Sequence, residues 1–157
     1  MFRVAADSLE AYLDFDPTRK PELLALDALI RKGAPKLARY FHQGTPAGEA
    51  GMRMKMIGYG KFRYTIKSGK SVEWPVIGVA LQKNYMSVYL SLTRNGAPLL
   101  DAYAGRLGET RSGHNNFSFV AFDALDRGRL SELIAEAARI FAADPANPER
   151  NRSSAAP

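Results

Sequence analysis

The sequence predicts an α+β fold, an antiparallel sheet with N-terminal and C-terminal helices packed against it. Three stretches carry that reading. Apolar residues recur at helical spacing from Leu23 to Ile30, alternate with polar ones through much of Phe62 to Leu92, and return to helical spacing from Leu130 to Phe141.

Ser8 is placed to cap a short first helix whose apolar side is Leu9, Tyr12 and Leu13. Asp16-Pro17 offers a second start, and the stripe Leu23, Leu24, Leu26, Leu29 and Ile30 runs until Gly33 and Ala34-Pro35 stop it. Leu37, Tyr40 and Phe41 predict a further short helix, ended by Gly44-Thr45-Pro46-Ala47-Gly48. From Gly48 to Gly60 the composition suits a loop, yet Met52, Met54 and Met56 alternate with Arg53 and Lys55. A ligand-facing loop and an irregular edge strand both remain open there.

Phe62, Tyr64 and Ile66 alternate with Arg63 and Thr65, as in a strand with one covered face. Lys67-Ser68-Gly69-Lys70 supplies an exposed turn into a strand from Val72 to Leu81, in which Pro75 favours an edge, a bulge or a strand start. Lys83-Asn84 reverses the chain into Tyr85–Leu92, with Met86, Val88, Leu90 and Leu92 on one side and Tyr85, Ser87, Tyr89 and Ser91 on the other. Leu99, Leu100, Tyr103 and Leu107 predict a helix ending near Gly108, and Phe117, Phe119 and Ala121 a short strand. Asp123 or Asp126 then caps a last helix presenting Leu130, Leu133, Ile134, Ala137 and Phe141. Residues 1–143 thus form a single α+β domain, and 144–157, poor in large apolar side chains, a flexible C-terminal tail.

The bulk composition narrows the chemistry. The 157 residues contain no cysteine, which excludes disulfides, thiolate nucleophiles and thiolate metal sites. Asp7 and Glu10 interrupt any apolar leader, and Gln82, Lys83 and Asn84 break the most apolar region, so a cytoplasmic location without membrane insertion is expected. The net charge of +6 favours an anionic partner without choosing among them. Between Gly51 and Lys70 stand six basic residues and no acidic one, a pattern that a lysine-protected sheet edge also explains.

A hydrolytic triad needs a nucleophile, a base and an orienting group, but His42 and His114 are the sole histidines and no nucleophile elbow is present. Gly113-His114-Asn115-Asn116 places an imidazole and two amides before a strand, where they suit either ligand recognition or a turn. Gly58-Tyr59-Gly60-Lys61 lacks the rest of a phosphate loop, so its glycines are read as permitting a turn or close packing, with Lys61 and Arg63 near enough to meet an anion. Tyr59, Phe62, Tyr64 and Trp74 beside basic residues admit base stacking, but Phe62 and Tyr64 face away from Arg63 and no recognition helix is present, which argues against nucleic acid. No compact metal-ligand cluster stands out; Asp14 and Asp16 read as helix ends, and Glu49 would meet His42 only if its loop folded back.

From Ser8 through Ala142 the chain resembles the DUF1801 (YdhG-like) family of small α+β domains. The likeness rests on Leu26-Asp27-Ala28-Leu29-Ile30-Arg31-Lys32-Gly33-Ala34-Pro35, Gly44-Thr45-Pro46, Tyr85-Met86-Ser87-Val88-Tyr89-Leu90 and Leu130-Ser131-Glu132-Leu133-Ile134. Many relatives carry Trp-Gly-x-Pro where this chain has Gln43 before Gly44 and Pro46, a change that alters any pocket wall there. The resemblance implies the fold and, through members described as iron chaperones, an iron-binding accessory role as one alternative.

The leading expectation is a binding or accessory domain for a small anionic ligand or acidic protein partner, with a pocket between the sheet and Gly44–Gly60. Lys61 and Arg63 would attract the ligand, Trp74 and Tyr89 supply contact area, and His114 and Asn116 direct hydrogen bonds. An enzyme using His114 as general acid or base is the other alternative.

Overall fold

The computed structural model describes residues 2–45 and 54–155. Pro46 to Arg53, which include Glu49 and Met52, lie outside them, as does any contact of Glu49 with His42. The fold is α+β, with helices toward both ends of the chain around an antiparallel sheet. Helices α1 (Leu9–Asp14) and α2 (Lys20–Gly33) come first, and α3 (Arg127–Ala143) and α4 (Asn147–Ala155) close the chain. The main sheet has the order β1-β2-β3-β4-β8-β7, from β1 (Arg39–His42), β2 (Met56–Thr65), β3 (Ser71–Leu81), β4 (Met86–Leu90), β7 (Arg111–Ser112) and β8 (Asn116–Phe119). Two short strands, β5 (Thr93–Arg94) and β6 (Ala97–Pro98), form a separate hairpin.

Local chemistry sets several boundaries. The Ser8 hydroxyl caps α1 by accepting from the Ala11 N–H at 3.1 Å, and the Asp126 carboxylate caps α3 by accepting from Arg129 N–H at 3.0 Å. The Lys67–Lys70 turn joins β2 to β3 as expected, with Ile66 N–H on the Lys70 carbonyl and Gly69 N–H on that of Ile66, each at 2.9 Å. One expectation fails at Leu37–Phe41, where the chain extends into β1 instead of coiling. Pairing of Arg39 to His42 with Tyr59 to Met56 satisfies the backbone, and that tertiary gain outweighs a helical spacing only a few residues long. Leu99–Tyr103 is a 3-10 turn, shorter than the expected helix to Gly108; Gly105 and Gly108 take φ of 72° and 89°, which no helix accommodates.

The core lies between α2, α3 and one sheet face. Leu23, Leu26 and Ile30 of α2 and Leu130, Leu133 and Ile134 of α3 are buried with Ile57, Ile77, Val79, Val88, Leu90 and Phe117. A polar knot is buried with them: Asp27 of α2 accepts from the Tyr59 hydroxyl and from Arg39 Nη1, both at 2.6 Å. Burial of an unpaired carboxylate would be costly, so these two donors make Asp27 tolerable there.

The opposite face positions the candidate site. Cross-strand partners run Tyr40–Gly58–Gly78–Tyr89–Asn116 through five strands, so these residues share one face. A Cβ at Gly58 would overlap the Tyr40 ring, and one at Gly78 would sit 2.9 Å from Met56 Sδ, so both glycines are needed for close approach. The outer half of the β2–β3 hairpin curls back over this floor. Trp74 is about 16 Å of extended strand from Val79, the residue in register with Phe41 through Ile57, yet the Trp74 ring lies 5.5 Å from His42 and 6.0 Å from Tyr89. Gly60, at φ 74°, supplies a backbone conformation other residues resist, and Pro75 interrupts the donors of the facing strand.

Residues 144–157, expected as a tail outside the domain, instead contain α4 against the curled hairpin. Amides replace apolar bulk as the anchor. Asn147 Oδ1 accepts from Thr93 N–H at 2.9 Å while its Nδ2 donates to the Thr93 carbonyl at 3.1 Å, and Asn151 Nδ2 donates to the Ser91 carbonyl at 2.8 Å. The Arg152 guanidinium lies 5.0 Å from the Trp74 ring and 5.4 Å from that of Tyr64.

Candidate functional site

Alternation along β1 sends Tyr40 and His42 to the glycine-floored face and Phe41 to the other, where its ring meets Tyr12 at 5.9 Å. Because the hairpin curls back, Lys61, Ser71 and Glu73 come to face Tyr40 and His42 across a cleft of about 300 Å³. That is the lower end of the range for small-molecule sites. Gln43, Gly44 and Thr45 continue the wall on the β1 side.

The cleft is rich in unspent hydrogen-bonding capacity. Tyr40 Oη and His42 Nε2 are buried without a partner among the described residues, and so is Trp74 Nε1 beside them. His42 and Trp74 are only 7% and 1% exposed, so water does not readily satisfy them through the surface. Buried polar groups are nearly always paired, and each exception marks strain, function or a missing partner.

Electrostatics sharpens the picture. Burial holds the His42 imidazole below its ordinary pKa, with Glu73 pulling it back up and Lys61 pushing it further down. Burial, and secondarily Glu73, pushes the Tyr40 hydroxyl well above the ordinary tyrosine value, so it is a protonated donor at neutral pH. Lys61 Nζ stands 4.4 Å over the Tyr40 ring and 3.9 Å from Glu73 Oε1, while Arg63 Nη2 is 3.7 Å from Glu73 Oε2. Both ion pairs are longer than a hydrogen bond, and among the described residues no side chain donates one to Glu73. Two cations against one carboxylate leave the rim with an excess positive charge.

The expected site residues divide into two groups. Lys61 lines the cleft, Arg63 reaches its Glu73, Trp74 touches its His42, and Tyr89 stacks edge-on to Trp74. His114 and Asn116 do not join them. His114 is exposed on the turn between β7 and β8, beyond the edge of the sheet opposite β1, and no hydrogen bond among the described residues reaches it. Asn116 shares the Tyr89 row but lines another depression with Tyr85, Arg111 and Ser118. Trp74 is also too deeply buried to offer the open contact area expected of it.

Tyr40, His42 and Glu73 were not singled out as site residues by sequence. Their signal is faint: Tyr40 and His42 sit two apart in a strand of four residues, and Glu73 is the acidic residue nearest after the basic stretch. No family model matches the chain, and the searches of curated proteins and of solved structures find no match to it either. Among the described residues no three of His, Asp and Glu converge as a metal site would require, and no helix is long and apolar enough to cross a membrane.

Proposed function

We propose that the chain is a binding domain for a small anionic molecule, held between β1 and the curled β2–β3 hairpin. The observation that carries this reading is the pair of buried, unpaired polar atoms, Tyr40 Oη and His42 Nε2, in a cleft rimmed by Lys61. A tyrosine hydroxyl kept protonated and a lysine ammonium are donors, and a donor-rich cleft is completed by an acceptor-rich ligand. The same positive excess would draw an acidic protein surface, but such a partner would leave the enclosed Tyr40 and His42 atoms unmet.

Catalysis by His114 gains nothing from its surroundings, because a general acid or base needs a positioned partner and an enclosed site. The iron-binding alternative rests on the resemblance to DUF1801 alone.

Trp74 is the only tryptophan, so its indole N–H gives a single NMR resonance directly beside His42. Titration with phenylacetate should shift that resonance saturably, whereas the neutral isostere phenylacetamide should bind at least about tenfold more weakly. Lys61→Met should weaken phenylacetate and leave phenylacetamide nearly unaffected. Equal response to both compounds, or no saturable response to phenylacetate, would overturn the reading.

A further inference from the structure

An anion meets the donors of the cleft but not its carboxylate. Glu73 brings a carboxylate into the same space, where its nearest cations, Lys61 at 3.9 Å and Arg63 at 3.7 Å, stop short of hydrogen bonding. A carboxylate accepts only, so it asks the ligand for a donor, while Tyr40 Oη and Lys61 Nζ ask for an acceptor. The two demands lie close together. Lys61 Nζ and Glu73 Oε1 are separated by 3.9 Å, so a ligand whose acceptor and donor sit on neighbouring atoms of its skeleton meets both.

We propose that the cleft takes a small carboxylic acid bearing a hydrogen-bond donor on the adjacent carbon, a 2-hydroxy or 2-amino carboxylate. The carboxylate meets Lys61 and the Tyr40 hydroxyl, and the hydroxyl or amine donates to Glu73. With each contact at about 2.8 Å, the ammonium, the ligand's two polar groups and the Glu73 oxygen close a four-cornered ring whose open side matches the gap between Lys61 and Glu73. Val72 in the lining offers an apolar surface for a substituent. The proposal rests on the anion-binding reading above and adds the second group to it.

The test compares mandelate with phenylacetate, which differ by the one hydroxyl, and adds phenylglycine for the amine, all read at the Trp74 indole resonance. Mandelate or phenylglycine should bind about tenfold tighter than phenylacetate, the gain expected from a hydrogen bond to a charged acceptor. Whichever donor gives the larger gain names the subclass. In Glu73→Met, which removes the acceptor, the ratio of mandelate to phenylacetate affinity should fall to near one. A wild-type ratio near one for both donors, which needs no variant, overturns the second-group proposal while saturable phenylacetate binding keeps the anion reading. A ratio that survives Glu73→Met in a folded variant overturns it as well. Inorganic phosphate displacing mandelate at lower concentration would assign the donors to an inorganic oxyanion and overturn it too. If none of the organic acids saturates, both readings fall.

Discussion

Asp27 and His42 illustrate two outcomes for a buried polar side chain. Asp27, 4% exposed, has its carboxylate oxygens covered by Tyr59 Oη and Arg39 Nη1 at 2.6 Å each. His42, 7% exposed, keeps Nε2 unpaired. The first arrangement is structural, and its removal should cost stability without touching the cleft. Tyr59→Phe should destabilise the fold by about 1.5–3 kcal/mol, the worth of a buried hydrogen bond to a charged group, as measured by chemical denaturation. Its phenylacetate affinity should match wild type. A change in affinity larger than the change in stability would place Asp27 in the binding machinery after all. The Tyr59 hydroxyl is itself pushed far above its ordinary pKa, by burial first and by its bond to Asp27 next, so the bond persists across the working pH range.

At the scale of elements, those built on sustained periodicity were legible in the sequence and those built on tertiary pairing were not. The Leu23–Ile30 stripe, the Ser8 and Asp126 caps, the Lys67–Lys70 turn and the two faces of β4 all follow from local spacing. β1 was hidden because Leu37, Tyr40 and Phe41 fall at helical intervals, and four residues of alternation are too few to outvote them. α4 was hidden for another reason: its anchors are Asn147 and Asn151, whose value lies in the backbone groups of Thr93 and Ser91 that they meet. That account predicts that Asn147→Ala loosens α4, lowering stability by about 1–3 kcal/mol and speeding hydrogen exchange at the Thr93 amide. An unchanged Thr93 exchange rate would show that α4 is held by something else.

For the molecule as a whole, one sheet carries two different surfaces. Its first face is closed by α2 and α3 over an apolar core, and its second is floored by Gly58 and Gly78 so that the hairpin can return across it. The charges of Lys61 and Arg63 and the rings of Trp74 and Tyr89 were readable as binding chemistry from sequence. Their convergence with Tyr40, His42 and Glu73 was not, because it depends on the curl at Gly60 and Pro75 between strands far apart in register. His114 and Asn116 suited the same chemistry by composition, and the strand order places His114 at the other edge.

If an anion completes the cleft beside His42, the two histidines respond to it differently. Proton NMR titration of both rings should find His42 below its ordinary value of 6.5 in the free protein, because burial penalises the imidazolium. Saturating phenylacetate supplies a nearby negative charge and should raise the His42 pKa, so that binding tightens as pH falls through the raised, ligand-bound value toward the lower value of the free protein. His114, exposed at the far edge of the sheet, serves as the internal control, since a ligand in the cleft should leave its ring resonances in place. A His42 titration that phenylacetate leaves unchanged, or phenylacetate-induced shifts as large at His114 as at His42, would rule out an anion bound in the cleft.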